Sequence, residues 1–221
     1  MVNLEYDLEI ELSTEYVTVL CVERSDVYTT FIREMYNQCE NNEGSWILSE
    51  TGEQINIFRN VLCIINPIAL DLNDKKLIKV LYQDMATDVI DNMDIEFGEV
   101  NARIISFLDE VISHQQYDLK FDDSIPITNI LKVYNVSFAD DSESVLEKIV
   151  SFIRLWHRVA GTVVFVFVNL KAYLSVDELE QLYEMICYEQ VYLLLIESHY
   201  IDKLDFEHGI ILDKDLCIID C

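Results

Sequence analysis

Val163-Val164-Phe165-Val166-Phe167-Val168 is an unbroken run of β-branched and aromatic side chains. A strand buried on both faces of a sheet reads this way, because neither face presents a side chain to water. Upstream, Ser144-Val145-Leu146-Glu147 has the spacing of a capping box. It opens a helix whose stripe is Val145, Ile149, Phe152, Ile153 and Trp156, closed by Gly161. Downstream, Ser175-Val176-Asp177-Glu178 opens a second capped helix with Leu179, Leu182, Tyr183 and Ile186, and residues 191–196 form a second buried run. Helix, buried strand, helix, buried strand predicts an α/β fold with a mostly parallel sheet. Residues 210–212 and 216–219, flanking Asp213-Lys214-Asp215, predict a terminal strand or strand pair.

The N-terminal block extends this sheet. Residues 4–12 alternate apolar and acidic, as in a strand wet on one face, and residues 16–22 form a denser buried run. A helix is expected over 27–39 on the stripe Val27, Phe31, Ile32, Met35 and Tyr36, with short strands at 46–48 and 60–65. The middle differs. Residues 73–116 have helical period throughout, with Gly98 and the acids before it marking a joint between two helices. The organisation expected is an α/β head from residues 1–70 and 140–221, with residues 71–139 as an inserted helical leg and hinge. The apolar surface of two such helices needs a partner, which predicts oligomerisation.

Composition narrows the function classes. The 221 residues carry 15 Lys+Arg against 41 Asp+Glu, a formal charge of −26, yet 51% are apolar, which is core-forming material. Such a surface repels polyanions and anionic lipid except where cations are locally concentrated. The start lacks a charged n-region and apolar h-region, and the longest apolar run, 163–168, is far short of the ~20 residues of a membrane helix. Six cysteines form no CxxC pair or zinc spacing. A soluble, cytoplasmic protein without membrane contact is expected.

Catalytic signatures are missing. None of the five glycines belongs to a G-x-x-x-x-G-K-[ST] or G-x-G-x-x-G loop, and His114, His157, His199 and His208 make no HExxH pair. No GxSxG elbow occurs. A non-enzyme is expected. Two acidic clusters remain: Asp118, Asp122 and Asp123, and Asp140, Asp141 and Glu143 ahead of the capped helix. Carboxylate oxygens suit calcium, which takes 6–8 ligands, but neither cluster has the EF-hand pattern. The alternative is a solvated turn, plus acids favoured at a helix N-terminus.

A succession of segments carries a family resemblance. Asp118-Leu119-Lys120-Phe121-Asp122-Asp123, Ile130-Leu131-Lys132 and residues 144–148 lead into 163–170. Lys171-Ala172-Tyr173-Leu174-Ser175-Val176-Asp177-Glu178 and Leu193-Leu194-Leu195-Ile196-Glu197 follow, and Thr18-Val19-Leu20-Cys21-Val22-Glu23 precedes the Phe31 helix. This order resembles the spacer-acquisition accessory family of subtype II-A CRISPR systems, a ring-forming, DNA-end-binding family. The resemblance implies a head similar to a P-loop ATPase core without a phosphate loop, and a homotetrameric ring taking double-stranded DNA ends in a basic hole. It implies calcium as cofactor and action alongside the adaptation integrase and the RNA-guided nuclease, without catalysis. Carried onto this sequence, it makes Asp118, Asp122, Asp123 and Glu143 the calcium candidates. DNA candidates are chosen by charge: Lys132, Lys148, Arg154, Arg158 and Lys171 near the head's helices, and Lys75, Lys76 and Lys79 at the start of the leg. Two other readings stay open: an acidic protein-interaction module of the same fold that never touches DNA, and a divergent nucleotide-dependent enzyme.

Overall fold

The structure, a computed structural model, describes residues 1–199 and 203–221. The chain divides into two compact units, Met1–Leu72 with Asp140–Cys221, and Asn73–Ala139.

The larger unit starts with a tight hairpin, β1 (Val2–Asn3) and β2 (Leu8–Glu9). The alternating stretch is therefore not one long strand: Asp7, at φ 49°, turns the chain back, a conformation Asp tolerates better than most residues. Next come β3 (Val17–Val22), α1 (Ser25–Asn41), β4 (Trp46–Glu50), β5 (Glu53–Ile55), α2 (Ile57–Asn60) and β6 (Val61–Ile64). β2-β1-β4-β5 make a small antiparallel sheet.

The smaller unit holds α3 (Lys75–Asn92), α4 (Asp94–Ser113) and α5 (Ile127–Val133). The joint between the long helices falls at Met93, five residues before Gly98, which lies inside α4. Asp94 and Glu96 occupy the first turn of α4, where carboxylates complement the helix dipole. The acidic stretch therefore starts a helix rather than ending one. Tyr82 of α3 donates from its hydroxyl to the carbonyls of Val136 at 2.8 Å and Leu131 at 3.3 Å, tying α3 to α5 and the chain after it. At the unit's two ends, the Asn73 side chain accepts from the Phe138 amide at 2.8 Å and donates to its carbonyl at 3.1 Å. Entry and exit of the chain are thus clasped by one side-chain amide, as an insertion into another unit requires.

The larger unit resumes with α6 (Val145–Ala160), β7 (Val164–Val168), α7 (Val176–Glu189), β8 (Tyr192–Glu197), β9 (Glu207–Leu212) and β10 (Ile218–Asp220). The main sheet has the order β10-β9-β3-β8-β7-β6, with only the β9–β10 pair antiparallel. All of β3 and β7 is buried, as their continuous apolar sequences require. On one face Leu20, Val166, Leu194 and Ile196 pack with Phe31 and Met35 of α1 and with Trp46 of the small sheet. The Phe31 ring sits edge-on to Tyr6 and Trp46, with centroids 4.8 and 5.2 Å away.

The helix ends follow the sequence with one change. Ser175 and Glu178 close a full capping box on α7. On α6 the Ser144 hydroxyl accepts the Glu147 amide, but the Glu147 carboxylate reaches back to the amide of Glu143. Gly161, at φ 70°, caps the other end of α6, and the His157 ring lies 2.9 Å from the Thr162 carbonyl.

Candidate nucleic-acid interface

Lys75, Lys76 and Lys79 are all exposed on the first turns of α3. Asp74 caps this helix by accepting the Lys76 amide at 2.7 Å, and no acid lies in the first turn. Ammonium groups at a helix N-terminus oppose the macrodipole. Charge placed against a dipole is compensated when an anion sits over it, and phosphates suit helix N-termini for this reason. The smaller unit is also the less acidic of the two, with six Lys and Arg against twelve Asp and Glu. Lys132 is exposed in the last turn of α5, where a cation is favoured for local reasons.

Lys148, Arg154, Arg158 and Lys171 are each held by a carboxylate. Arg154 Nε donates to Glu189 at 2.8 Å, and the Arg158 guanidinium bridges both Glu189 oxygens at 3.0 Å. Burial raises the Glu189 pKa, but the bonds from Arg158 and Arg154 outweigh it and hold the carboxyl below its ordinary value. Lys148 pairs with Asp140 at 2.9 Å and draws that carboxyl down. Arg154, Arg158 and Lys148 keep partly open side chains, whereas Lys171 does not. Its side chain is 2% exposed and its ammonium lies 2.8 Å from the equally buried Glu207 carboxylate. Lys171 was expected among the DNA contacts and is instead the cation of a core ion pair. Four of the five cations of this group are thus split among three acidic partners, Asp140, Glu189 and Glu207.

That core pair belongs to a polar cluster whose members are far apart in sequence. Tyr183 donates its hydroxyl to Glu207 at 2.7 Å, and the Leu204 amide donates to the same carboxylate at 2.9 Å. Burial, then the Glu207 charge, pushes the Tyr183 hydroxyl far up. Glu197, at the end of β8, accepts the Lys171 amide at 3.1 Å. A cavity of about 20 Å³, room for one water, borders Lys171, Glu197 and Glu207. Burial pushes the Glu197 carboxyl from 4.5 to about 7, and Lys171 offsets only part of this. The protonated carboxyl is therefore the form the fold favours. Its contribution is complete below the unfolded value of 4.5 and is lost as pH rises through 7. Glu197→Gln is expected to remove this loss, leaving the variant about 1–3 kcal/mol more stable than the parent at alkaline pH. Urea titrations across the pH range check it; parallel stability curves for parent and variant would contradict it.

The acidic candidates are exposed. Asp118, Asp122 and Asp123 lie on the irregular stretch between α4 and α5, where the Asp123 carbonyl accepts from the Asn101 side chain at 3.3 Å. Glu143 lies in the other unit. Among the described residues no three His, Cys, Asp or Glu side chains gather as a metal-binding group. Exposed and ungathered within their own unit, Asp118, Asp122 and Asp123 do not make up the 6–8-oxygen shell that calcium takes.

Fold and cation placement together define an acidic α/β protein with a helical insertion that carries the most exposed lysine cluster. The sequence matches the family described as CRISPR-associated protein (Cas_Csn2) over residues 38–216. The chain belongs to that family, the one its succession of segments resembles. It is 23% identical over 216 residues to "CRISPR-associated protein Csn2" of Streptococcus agalactiae, covering 96% of this chain and 94% of the relative. A protein of the same name from Enterococcus faecalis is 19% identical, covering 89% of each. Among solved structures, Stu0660 of Streptococcus thermophilus superposes with a TM-score of 0.52 at 14% identity, over 92% of this chain and 72% of that one. The protein is CRISPR-associated, and no helix among the described residues is long and apolar enough to cross a membrane.

Proposed function

We propose that this chain binds the ends of double-stranded DNA as a homotetrameric ring, catalyses no reaction on them, and supports spacer acquisition alongside the adaptation integrase and the RNA-guided nuclease. The observation that carries this reading is the exposed trio Lys75, Lys76 and Lys79 on the positive end of α3. The head resembles a P-loop ATPase core without its loop: only Glu23 and Arg24 connect β3 to α1. Such a turn leaves little backbone to wrap a phosphate. Calcium dependence is a separable part of the proposal. A gel shift on linear duplex should lose roughly 10³–10⁵ in affinity between about 50 and 200 mM salt if 6–10 phosphates are contacted. Binding unchanged by chelator would remove calcium from the account, and no shift at any salt would remove DNA.

Assembly is supported by α4, which has no buried residue. Ile95 and Phe107 are 77% and 64% exposed, more apolar surface than a solitary helix leaves in water. Ile95→Ser with Phe107→Ser is expected to lower the mass in sedimentation equilibrium while leaving circular dichroism intact. An unchanged mass would place the subunit contacts elsewhere.

The second reading, an acidic module that binds protein and not DNA, is favoured by the pairing of Lys148, Arg154, Arg158 and Lys171 with carboxylates. It predicts that none of the lysine substitutions below alters DNA binding, because there is none.

A further inference from the structure

A groove of about 660 Å³ runs between the small sheet and the main sheet, inside the larger unit, from Val164 on β7 and Tyr192 on β8 to Ile210 on β9 and Ile218 on β10. This volume falls within the ~300–1,000 Å³ typical of ligand sites. Leu48, Val164 and Ile210 give it an apolar floor. Glu9, Glu11, Glu50 and Asp220 stand exposed around it, and no Lys or Arg lines it. The two groups there that can carry positive charge are already engaged. The Met1 amino group donates to the Ile10 carbonyl at 2.6 Å, and His208 lies 3.5 Å from Asp220.

The rim includes an open strand edge. Among the described residues β10 pairs only with β9. Gly209 and Cys221 exchange amide bonds at 3.2 and 2.8 Å, and Asp213 donates to Cys217 at 3.1 Å. In an antiparallel ladder these bonded pairs alternate with unbonded ones. Residues 217, 219 and 221 therefore face β9, while the main-chain groups of Ile218 and Asp220 face outward. Ile218 and Asp220 line the β10 end of the groove, so one short segment paired to that edge can also meet Ile210 and the acids of that end, whereas Val164 on β7 lies four strand spacings, about 19 Å, away.

We propose that this groove docks an extended, basic and apolar segment of a protein partner, which adds to β10 as an edge strand. Main-chain bonds to Ile218 and Asp220 supply the register, and alternate side chains supply the specificity, as in other strand-addition sites. Apolar residues of the segment cover Ile210 and Ile218 while Lys or Arg residues meet Glu9, Glu11 and Asp220. The acidic rim excludes nucleic acid, so this site is separate from the lysines of α3 and stands whether or not the chain binds DNA.

Fluorescence anisotropy with a labelled short peptide of alternating Lys and Leu tests this on the full chain. Glu9→Gln/Glu11→Gln/Asp220→Asn is expected to weaken binding about tenfold, the combined effect of three exposed ion pairs. A charge-matched control on the exposed face of α7, Asp177→Asn/Glu180→Gln/Glu184→Gln, should leave affinity nearly unchanged. Ile218→Pro removes an outward amide without touching the β9 ladder, a change edge strands tolerate, and should also weaken binding. Three results would overturn the proposal: equal weakening by the α7 control, equal binding of an alternating Glu and Leu peptide, or unchanged affinity in Ile218→Pro. Displacement of the peptide by dodecylamine as effectively as by unlabelled peptide would assign the groove to a small amphiphile and overturn it too.

Discussion

Lys171→Met is expected to destabilise the chain by about 3–5 kcal/mol, the usual cost of removing one partner of a buried ion pair. Methionine matches the length of lysine and packs without charge, so the loss does not come from a void. It comes from Glu207, which is left in the core with the Tyr183 hydroxyl and the Leu204 amide but no countercharge. The melting temperature of a chain this size should fall roughly 6–20 °C. Lys171→Met/Glu207→Leu should recover much of the loss, because an apolar pair of similar volume carries no unpaired charge. A single variant within ~1 kcal/mol of the parent would mean that the ammonium does not sit where the structure places it.

The second large effect concerns DNA. Three phosphate contacts each contribute about 0.9 to the slope of log affinity against log salt, so replacing Lys75, Lys76 and Lys79 by Ala should lower that slope by roughly 3. Near 0.1 M salt this corresponds to a loss of roughly 10²–10³ in affinity. Lys132→Ala should remove at most one such increment. Arg154→Ala and Arg158→Ala should act mainly through Glu189, which loses a guanidinium partner while its carboxylate remains largely buried. Their effect should thus appear in stability before it appears in the salt slope. A triple variant with the parental slope would remove α3 from the interface.

The parts of the fold legible in the sequence are those where one physical requirement dominates. β7 and β8 are buried on both faces and therefore wrote continuous apolar runs, and the capping box of α7 announced its own start. Two local misreadings have local causes. Gly98 reads as a helix break, yet a helix tolerates one glycine at a cost of about 1 kcal/mol, and the dipole-favoured acids at Asp94 and Glu96 mark the true start of α4. Residues 4–12 read as one strand because alternation does not reveal a left-handed turn at Asp7. β5, α2 and α5 are short, and elements of three to seven residues leave too few repeats for a period to register.

The candidate site was less legible for a different reason. Whether a lysine is available to DNA depends on which carboxylate folds against it, and those partners are distant in sequence. Arg154 finds Glu189, and Lys171 finds Glu207. A spacing of i, i+4 correctly put Arg154 and Arg158 on one face of α6, but the face turned out to hold a nearly buried carboxylate. Glu197 closing an otherwise apolar strand was the one signal in the sequence that pointed toward the core cluster.

Duplex is proposed to enter this protein by its ends, past the lysines of α3. Competition between a labelled linear duplex and an unlabelled covalently closed circle of the same sequence, at fixed salt, tests it directly. The closed circle is expected to compete poorly, and cutting it once to restore full competition. Equal competition by closed and cut circles would contradict end entry, and with it the ring.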